Sequence, residues 1–153
     1  MTTHADHTEI GGLVDRYFRA LDAREFPAGW ARDFFTDQAR MEMPVGVDQG
    51  AEAVRATERA LRRFDRTQHI ASGLITDTEA EEGRATASWN ALMTHVHHEA
   101  TLRERGERAD PLFFVGGRFE AELHRTPAGW RFTQLAVRPV WTKGQPPPGM
   151  SEG

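Results

Sequence analysis

Histidine side chains are the groups in this sequence best suited to exchange protons near neutral pH, because an unperturbed imidazole titrates close to that range. Four of them occur in two stretches with alternating apolar residues: His69 in one, and His95, His97 and His98 in the other. The chain has no cysteine, no serine in a Gly-x-Ser-x-Gly turn, and a single lysine, Lys143, beside a Gly/Pro-rich tail. The sequence therefore favours acid–base chemistry that uses no covalent nucleophile.

The histidines share faces with apolar residues if their stretches are β-strands, in which alternate side chains point the same way. On one strand, the face of His95 and His97 also contains Trp89, Ala91 and Met93. On the other, the face of His69 also contains Ala71, Gly73 and Ile75. Two imidazoles on one face of a sheet can converge on a pocket. The alternative is that each is a hydrogen-bonded histidine of the core or its rim.

A metal site is a further interpretation of the pair His95 and His97, since both side chains point the same way along a strand. A cupin-type site needs a glutamate about four or five residues after the second histidine. This chain has Thr101 and Leu102 there. We therefore expect no metal ion, and a solvated strand end is the alternative role for His97 and His98.

Asp22 ends an apolar helical stretch and is the carboxylate best placed to join the histidines. A carboxylate in such a position often caps the following turn or stays solvated. Alternatively, it points into the mouth of the sheet, holds one nitrogen of an imidazole and favours the protonated form. Both interpretations are open from the residues alone.

Three stretches have the period of a helix, with apolar residues recurring every three or four positions. They predict a first helix from Glu9 to Arg24, a short second helix from Pro27 to Asp37, and a third from Ala51 to Phe64. Trp30 and Phe34 of the second helix are expected to enter the core.

Beyond residue 66 the period changes to two, which is typical of strands. The predicted strands are Gln68 to Thr76, Arg84 to His98, Leu112 to Arg125 and Trp130 to Trp141, with a shorter one, Arg40 to Met43, between the last two helices. Helices followed by antiparallel strands predict an α+β domain over 9–143. Residues 1–8 are expected to be a flexible N-terminus and 144–153 a disordered tail.

The composition is that of one small globular domain. The chain has 153 residues, about one domain's length, and a net charge of −4. Interspersed charge signs give no basic footprint for nucleic acid, and no apolar run approaches the roughly 20 residues of a membrane span. The absence of cysteine is compatible with a reducing compartment. We expect a soluble cytoplasmic protein that binds a small molecule and neither nucleic acid nor membrane.

Several segments also resemble a known family when their order is considered. They are Leu21 to Phe26 closing the first helix, Arg66 to His69 opening a strand, His95 near the end of the next, and Gly117 to Phe119 with Gly129 to Arg131 in the final hairpin. Together, over about Glu9 to Lys143, they resemble the SnoaL-like polyketide cyclases and scytalone dehydratase of the NTF2-like superfamily. The resemblance implies a cone-shaped α+β fold, in which a curved, mostly antiparallel sheet wraps around three N-terminal helices and encloses one pocket.

The resemblance also implies cofactor-independent acid–base chemistry inside that pocket. Matched residue by residue, it places Asp22, His69 and His95 around the reacting centre as the catalytic residues. His69 has the same Arg-Thr-Gln-His context as the family, whereas matching His95 requires one inserted residue in the preceding loop.

The chain departs from the family pattern at several positions. Two tyrosines of the dehydratase correspond here to Leu21 and Met43, and the only tyrosine, Tyr17, lies one turn earlier. An asparagine of its fourth long strand falls at Phe119, or at Glu120 after a slip of one residue. The polyketide cyclases often carry an aspartate that would fall near Ala121. These departures indicate neither scytalone dehydratase itself nor a standard aromatic polyketide cyclase.

The sequence thus predicts a lyase or isomerase that cyclises, dehydrates or isomerises an apolar carbonyl-containing molecule, of the kind made in polyketide-type secondary metabolism and antibiotic biosynthesis. One histidine would remove a proton beside the carbonyl and the other would return one. Substrate contacts are expected from Tyr17, Trp30, Phe34, Met43, Trp89, His97 and Phe119. The main alternative is a non-catalytic NTF2-like module that binds a small molecule or a partner, which a filled cone would favour. A subunit of a ring-hydroxylating oxygenase is a third possibility that only the shared fold supports.

Self-association is expected through the sheet face turned away from the helices. Trp130 and Phe132 have the same strand parity and Trp141 has the opposite one, so all three cannot point inward. A large aromatic on the outer face favours a homo-oligomer, with a dimer preferred over a trimer.

Overall fold

The computed structural model describes residues 3–149 as three α-helices and one six-stranded sheet. The helices are α1 (His4–Ala23), α2 (Ala51–Arg62) and α3 (Glu99–Arg105). The strands are β1 (Phe35–Met43), β2 (Gly46–Gln49), β3 (Arg66–Glu79), β4 (Arg84–Val96), β5 (Leu112–Thr126) and β6 (Gly129–Lys143). Single 3₁₀ turns cover Trp30–Asp33 and Ala80–Glu82.

The sheet has the strand order β2-β1-β6-β5-β4-β3. All neighbouring strands are antiparallel except β1 and β6, which run parallel. The strand that ends the sheet in sequence therefore lies in its interior, between the first strand and β5. The predicted α+β class with a curved, mostly antiparallel sheet is confirmed.

Helix α1 packs on one face of the sheet, which we call the inner face; the opposite face is the outer face. The buried side of α1 joins one apolar cluster with the inner residues of the long strands, including Trp89, Phe119, Leu123 and Phe132. On β4 every second residue from Ala85 to His95 is buried. The alternation predicted for this strand and for β5 is therefore present in the structure.

The N-terminus of α1 begins earlier than the sequence predicted. The Thr3 side chain caps it by accepting a hydrogen bond of 3.0 Å from the Asp6 backbone N–H. Asp6 in turn accepts hydrogen bonds from Arg125 (2.5 Å) and from the indole N–H of Trp130 (3.3 Å). These contacts order residues that had been expected to be flexible, because a cap and a buried carboxylate are not visible in an apolar period.

The second predicted helix, Pro27 to Asp37, is wrong. Only a 3₁₀ turn forms at Trp30–Asp33, and β1 starts at Phe35. The Phe132 N–H donates a 2.8 Å hydrogen bond to the Phe34 carbonyl, and Phe35 pairs in register with Phe132. Pairing with β6 thus outweighs the helical propensity of this stretch.

The third helix of the fold is α3, which lies between β4 and β5 in a segment predicted as a polar connection. The three helices are therefore not all N-terminal. Only Thr101 of its seven residues is buried, so the sequence has no apolar period that would predict this helix.

A β-bulge in β3 exchanges the faces of the strand. Pairing with β4 shifts between Ser72 and Ile75, and Gly73 has a φ of +66°, which L side chains rarely adopt. Beyond the bulge Leu74 packs against the core cluster while Ile75 is 69% exposed. The prediction that Ile75 shares a face with His69 is therefore wrong, because strict alternation fails at a bulge.

The start of the predicted tail is ordered by contacts with the domain. Pro147 is fully buried, and the carbonyls of Gln145 and Pro146 accept hydrogen bonds from His97 and Arg105. The remaining tail residues 150–153, like residues 1–2, lie outside the described range. Within residues 3–149, no helix is both long and apolar enough to cross a bilayer.

Candidate active site

Asp22 and His69 form a hydrogen-bonded pair between the end of α1 and the start of β3. The His69 Nδ1–H donates to Asp22 Oδ1 at 2.6 Å, and the His69 backbone N–H donates to Oδ2 at 2.8 Å. The Thr67 hydroxyl donates to Oδ1 at 2.9 Å. The His69 side chain is 6% exposed and the Asp22 side chain 22%. Asp22 therefore fixes both the position and the tautomer of the imidazole, rather than only capping its own helix.

The chain around Asp22 holds this pair in place. Arg24 ends α1 in the left-handed region with a φ of +59°. Its guanidinium donates to the carbonyls of Leu61, at 2.6 Å, and of Asp65. The ends of α1 and α2 and the start of β3 are thus joined by one side chain. Thr67 could have been found from the sequence, because it lies inside the segment that resembles the family.

His95 faces His69 across the inner face, with 6.2 Å between ring centroids in an edge-on arrangement. Its Nδ1–H donates a 2.9 Å hydrogen bond to the Phe113 carbonyl. The rings of Phe64 and Phe113 pack beside it at 4.4 and 5.5 Å. Burial lowers the pKa of His95 to about 4, against the smaller opposing effect of the Phe113 carbonyl. His95 is therefore neutral at pH 7.

The two imidazoles have the same free atom. In each, Nδ1 is engaged, and no hydrogen bond within residues 3–149 occupies Nε2. A neutral imidazole that donates through Nδ1 carries its lone pair on Nε2. Both groups can therefore accept a proton or a hydrogen bond through Nε2. Only His69 has its Nδ1 bonded to a carboxylate, which can stabilise the imidazolium.

Phe18 connects the histidine pair with two of the predicted substrate-binding residues. Its ring lies 5.1 Å from His69, 6.2 Å from Trp89 and 5.2 Å from Phe119. Trp89 and Phe119 stack at 5.3 Å, and the Trp89 Nε1–H is buried without a hydrogen-bond partner. Phe18 was not among the predicted substrate-binding residues, although its position in the apolar period of α1 places it on the helix face that meets the sheet. Of the two predicted registers, Phe119 is on the inner face and Glu120 is exposed on the outer one.

Tyr17 and Phe34 belong to a different part of the aromatic core. Tyr17 lies 5.6 Å from Phe34, 5.2 Å from Phe35 and 5.9 Å from Phe132. Burial raises the pKa of the Tyr17 phenol above its usual range. Within residues 3–149, no ring contact joins either residue to His69 or His95, so the ring contacts do not support their predicted role in substrate binding.

A cavity of about 640 Å³ lies between the 3₁₀ turn, β1 and α2. Its apolar wall includes Phe26, Trp30 and Met41, and the Glu58 carboxylate accepts a 2.9 Å hydrogen bond from the Trp30 indole. Trp30 thus lines a cavity, but one that neither His69 nor His95 lines. Met43 has the same strand parity as Met41 and packs against the core cluster, but it is not among the residues that line the cavity.

This cavity lies apart from the histidine pair. None of Asp22, His69 and His95 lines it. This cavity is therefore not the predicted pocket that contains both histidines and the aromatic wall; Phe18 packs against His69 instead.

His97 is separated from the pair, contrary to its predicted contact with substrate. Its Nε2–H donates a 2.8 Å hydrogen bond to the Gln145 carbonyl, and Arg105 lies beside it. Burial lowers the pKa of His97, and the Arg105 charge acts in the same direction. Its Nδ1 is buried without a partner. Strand parity placed His97 correctly on the inner face but did not show that the segment after β6 covers it.

No group of three or more His, Cys, Asp or Glu side chains within residues 3–149 is arranged to hold a metal ion. His95 and His97 each use one ring N–H to donate a hydrogen bond to a backbone carbonyl. The chemistry that the arrangement does offer is proton transfer at the His69 Nε2 atom, next to a neutral imidazole and an aromatic wall.

Comparison with known families assigns the fold and the domain together. The SnoaL-like domain family matches residues 2–136, and the chain belongs to this family. Solved structures of the NTF2-like superfamily share its architecture. One is an NTF2-like protein from Salmonella enterica, with 17% identity, a TM-score of 0.72 and 99% of both chains covered. The resemblance to this superfamily predicted from the sequence is confirmed.

Two further structures with this fold carry the names of enzymes. A candidate scytalone dehydratase from Novosphingobium aromaticivorans has 20% identity and a TM-score of 0.74, with 97% of this chain and 96% of that chain covered. The hexachlorocyclohexane dehydrochlorinase LinA-type3 from Novosphingobium barchaimii has 15% identity and a TM-score of 0.71, with 97% and 94% covered. At these identities the likeness shows the fold alone. No curated protein matches the chain.

Proposed function

We propose that this protein is a lyase or isomerase that acts by proton transfer, without a cofactor, on an apolar molecule containing a carbonyl group. The observation that carries the proposal is the Asp22–His69 pair, in which a carboxylate orients an imidazole and leaves its Nε2 free. Three donors converge on the partly exposed Asp22 carboxylate, which lies beside two imidazoles. A carboxylate that only stabilised the fold would not need this arrangement. Membership of the SnoaL-like domain family supports an enzyme of this kind.

The geometry favours His69 as the base. Its Nε2 takes the proton from the carbon next to the carbonyl, and the C–H electrons form the enol or enolate. The imidazolium is stabilised by Asp22. It then returns the proton to a leaving hydroxyl, which departs as water, or to another carbon, which completes an isomerisation. A positioned acid–base group contributes about 10²- to 10⁴-fold to such a step.

His95 has a different role in this proposal. Because its pKa is low, its imidazole carries almost no extra proton at pH 7 and has none to donate to the substrate. Its Nε2 accepts a hydrogen bond from a substrate hydroxyl or from water and so orients the group that leaves. The sequence left open which histidine removes the proton and which returns it. In this proposal His69 is the base and His95 only accepts a hydrogen bond.

The names of two structural neighbours agree with an elimination. A dehydratase removes water and a dehydrochlorinase removes hydrogen chloride, and either elimination takes a proton from carbon. The stacked Trp89 and Phe119 rings and Phe18 favour a flat apolar substrate. More specifically, we propose that the substrate is a polyketide-type metabolite of an antibiotic or related pathway and that the reaction takes place in the cytoplasm.

Proton abstraction can be tested before the natural substrate is known. The wild-type protein is incubated in D₂O with a panel of aromatic ketones and β-hydroxy ketones, and loss of the α-proton signal is followed by ¹H NMR. We expect enzyme-dependent exchange with at least one compound. His69→Ala should slow it at least 10²-fold, and His124→Ala, an exposed histidine of the outer face, should leave it unchanged.

The same assay tests the remaining roles. Treatment with a chelator should not change the exchange rate, because no step uses a metal ion. His95→Gln should lower elimination more than exchange, since it alters the leaving group's partner and not the base. Exchange that is absent for every compound, or equal in His69→Ala and the wild type, would contradict the proposal.

A non-catalytic binding module is the second candidate, and one observation favours it. The described cavity of about 640 Å³ lies beside Trp30 and Glu58, and none of Asp22, His69 and His95 lines it. A module would bind an apolar ligand in that cavity without transforming it. Saturable binding that is lost in Met41→Trp, together with no proton exchange in any compound, would favour this function over the enzyme.

A further inference from the structure

Three tryptophans of this chain are buried, and the indole N–H of one of them has no partner. The Trp30 N–H donates to the Glu58 carboxylate at 2.9 Å, and the Trp130 N–H donates to the Asp6 carboxylate at 3.3 Å. Trp89 is 1% exposed, and its N–H has no acceptor within residues 3–149. A buried donor without a partner lowers the free energy of unfolding. A phenylalanine at position 89 would provide an aromatic wall without that cost.

The aromatic ring stacked on Trp89 does not serve as an acceptor either. Phe119 lies at 5.3 Å between ring centroids, with an angle of 11° between the ring planes. An indole N–H lies in the plane of its own ring, so it runs alongside the Phe119 ring and does not point at its π face. Because an indole N–H only donates hydrogen bonds, the partner that fits it is an acceptor atom of a bound molecule.

Small residues flank the stacked pair on the inner face of the sheet. Trp89 and Phe119 lie directly opposite each other on β4 and β5, and the positions two residues before and after each of them point the same way. These four flanking positions hold Ala87, Ala91, Gly117 and Ala121. None of the four has a side chain larger than a methyl group, so they offer the Trp89 N–H no polar side chain. The molecule that carries the acceptor must therefore be apolar over the rest of its surface.

Phe18 connects this position with the proposed base. Its ring lies 5.1 Å from the His69 ring and 6.2 Å from the Trp89 ring. The Trp89 N–H is closed to solvent, so a ligand reaches it only when a neighbouring side chain turns aside. Changes of side-chain rotamer are common on binding. Phe18 is the side chain suited to this movement, because a molecule that enters beside His69 and displaces the Phe18 ring comes next to Trp89.

We propose that Trp89 is a specificity-determining residue, whose N–H donates a hydrogen bond to an oxygen atom of the substrate. The inference rests on the proposed function and narrows its substrate class to flat, fused-ring molecules with a carbonyl or similar acceptor oxygen. A fused ring system is needed because Phe18 contacts both His69 and Trp89, and a ligand in its place extends from the base to the donor. A molecule with a hydrocarbon edge there leaves the donor unpaired and is selected against.

The first test uses the full-length ¹⁵N-labelled wild-type chain with two matched probes, fluorenone and fluorene. Both are flat and tricyclic, and only fluorenone has a carbonyl oxygen. Fluorenone has no α-proton, so its binding is measured without turnover. In the ¹H–¹⁵N spectrum, the indole signal of Trp89, assigned by its loss in Trp89→Phe, should move downfield with fluorenone and not with fluorene. The signals of Trp30 and Trp130 should stay in place, because their N–H groups are already bonded to carboxylates.

The second test compares the dissociation constants of the two probes in variants. Trp89→Phe should reduce the preference for fluorenone over fluorene about 2- to 12-fold, the range of one neutral hydrogen bond. Trp141→Phe is the matched control, because it removes the half-exposed indole, and it should leave the preference unchanged.

Two results would overturn the proposal: a Trp89 signal that fluorenone does not move downfield, as when an internal water already holds the N–H, or equal preferences in Trp89→Phe and the wild type. His69→Ala keeps the donor and should keep the preference for fluorenone. Binding that persists in His69→Ala while no compound undergoes proton exchange would therefore contradict the proposed function and leave the role of Trp89 supported.

Discussion

Replacing Asp22 by asparagine tests whether this carboxylate holds His69 and Thr67 in place or is only an ordinary carboxylate at a helix end. The change keeps the shape of the side chain but turns one acceptor oxygen into a donor. Asp22 accepts three hydrogen bonds, from the Thr67 hydroxyl and from the ring and backbone N–H groups of His69. Whichever way the amide points, at least one of these donors faces an N–H group.

The magnitude follows from the number of bonds that are lost. If the asparagine oxygen replaces Oδ1, the His69 backbone N–H loses its acceptor. If it replaces Oδ2, the His69 ring can keep a bond only by moving its proton to Nε2, which removes the base. A hydrogen bond to a charged group contributes about 1.5 to 3 kcal/mol. For a domain of this size that corresponds to a decrease in Tm of roughly 3 to 12 °C.

The assay is thermal unfolding followed by circular dichroism, combined with amide hydrogen exchange at His69. Asp15→Asn is the matched control, because Asp15 is an exposed residue of the same helix and the substitution changes the charge equally. We expect the control to stay within about 0.5 kcal/mol of the wild type. Equal Tm values for the two variants, with unchanged protection of the His69 amide, would refute the three-bond arrangement.

Two further predictions concern buried titratable groups. The ¹H NMR signal of His95 should titrate near pH 4, because burial lowers its pKa to about 4; a midpoint near 6.5 would contradict this. The unfolded chain binds that proton from about pH 6.5 downward, so the free energy of unfolding should decrease as pH falls from about 6.5 to about 4, and His95→Gln should weaken this dependence. The only tyrosine, Tyr17, should ionise only as the protein unfolds in alkali, since burial raises its pKa; reversible tyrosinate absorbance near pH 10 in the folded protein would show the opposite.

Strand periodicity predicted the inner face well because it depends only on alternation. It placed Trp89, His95 and Phe119 on the buried side and Trp141 on the other, as the structure does. Periodicity fails where the backbone departs from regular pairing. Gly73 is such a place, because a glycine in a strand is compatible both with a bulge and with a regular position.

The pairing of Asp22 with His69 was one of two interpretations that the residues left open, and the segment resembling the family favoured it. The enclosure of the site was beyond the sequence. Alternation gives the face of a residue but not what covers it, so His97 and His95 looked equivalent. The covering contacts come from Gln145 and Arg105, which are distant in sequence or lie in a helix with no apolar period.

The position of β6 has a consequence for how the chain acquires its structure during synthesis. This strand is the last to leave the ribosome, and yet β1, made about 100 residues earlier, has its long-range partner there. Until β6 emerges, the edge of β1 and the matching edge of β5 stay open, with unpaired N–H and C=O groups. At about 5 to 20 residues per second, the edge of β1 stays open for on the order of 5 to 20 seconds, and that of β5, which directly precedes β6, for much less. A chain truncated before Gly129 therefore lacks the central element of its sheet and exposes two strand edges to neighbouring chains.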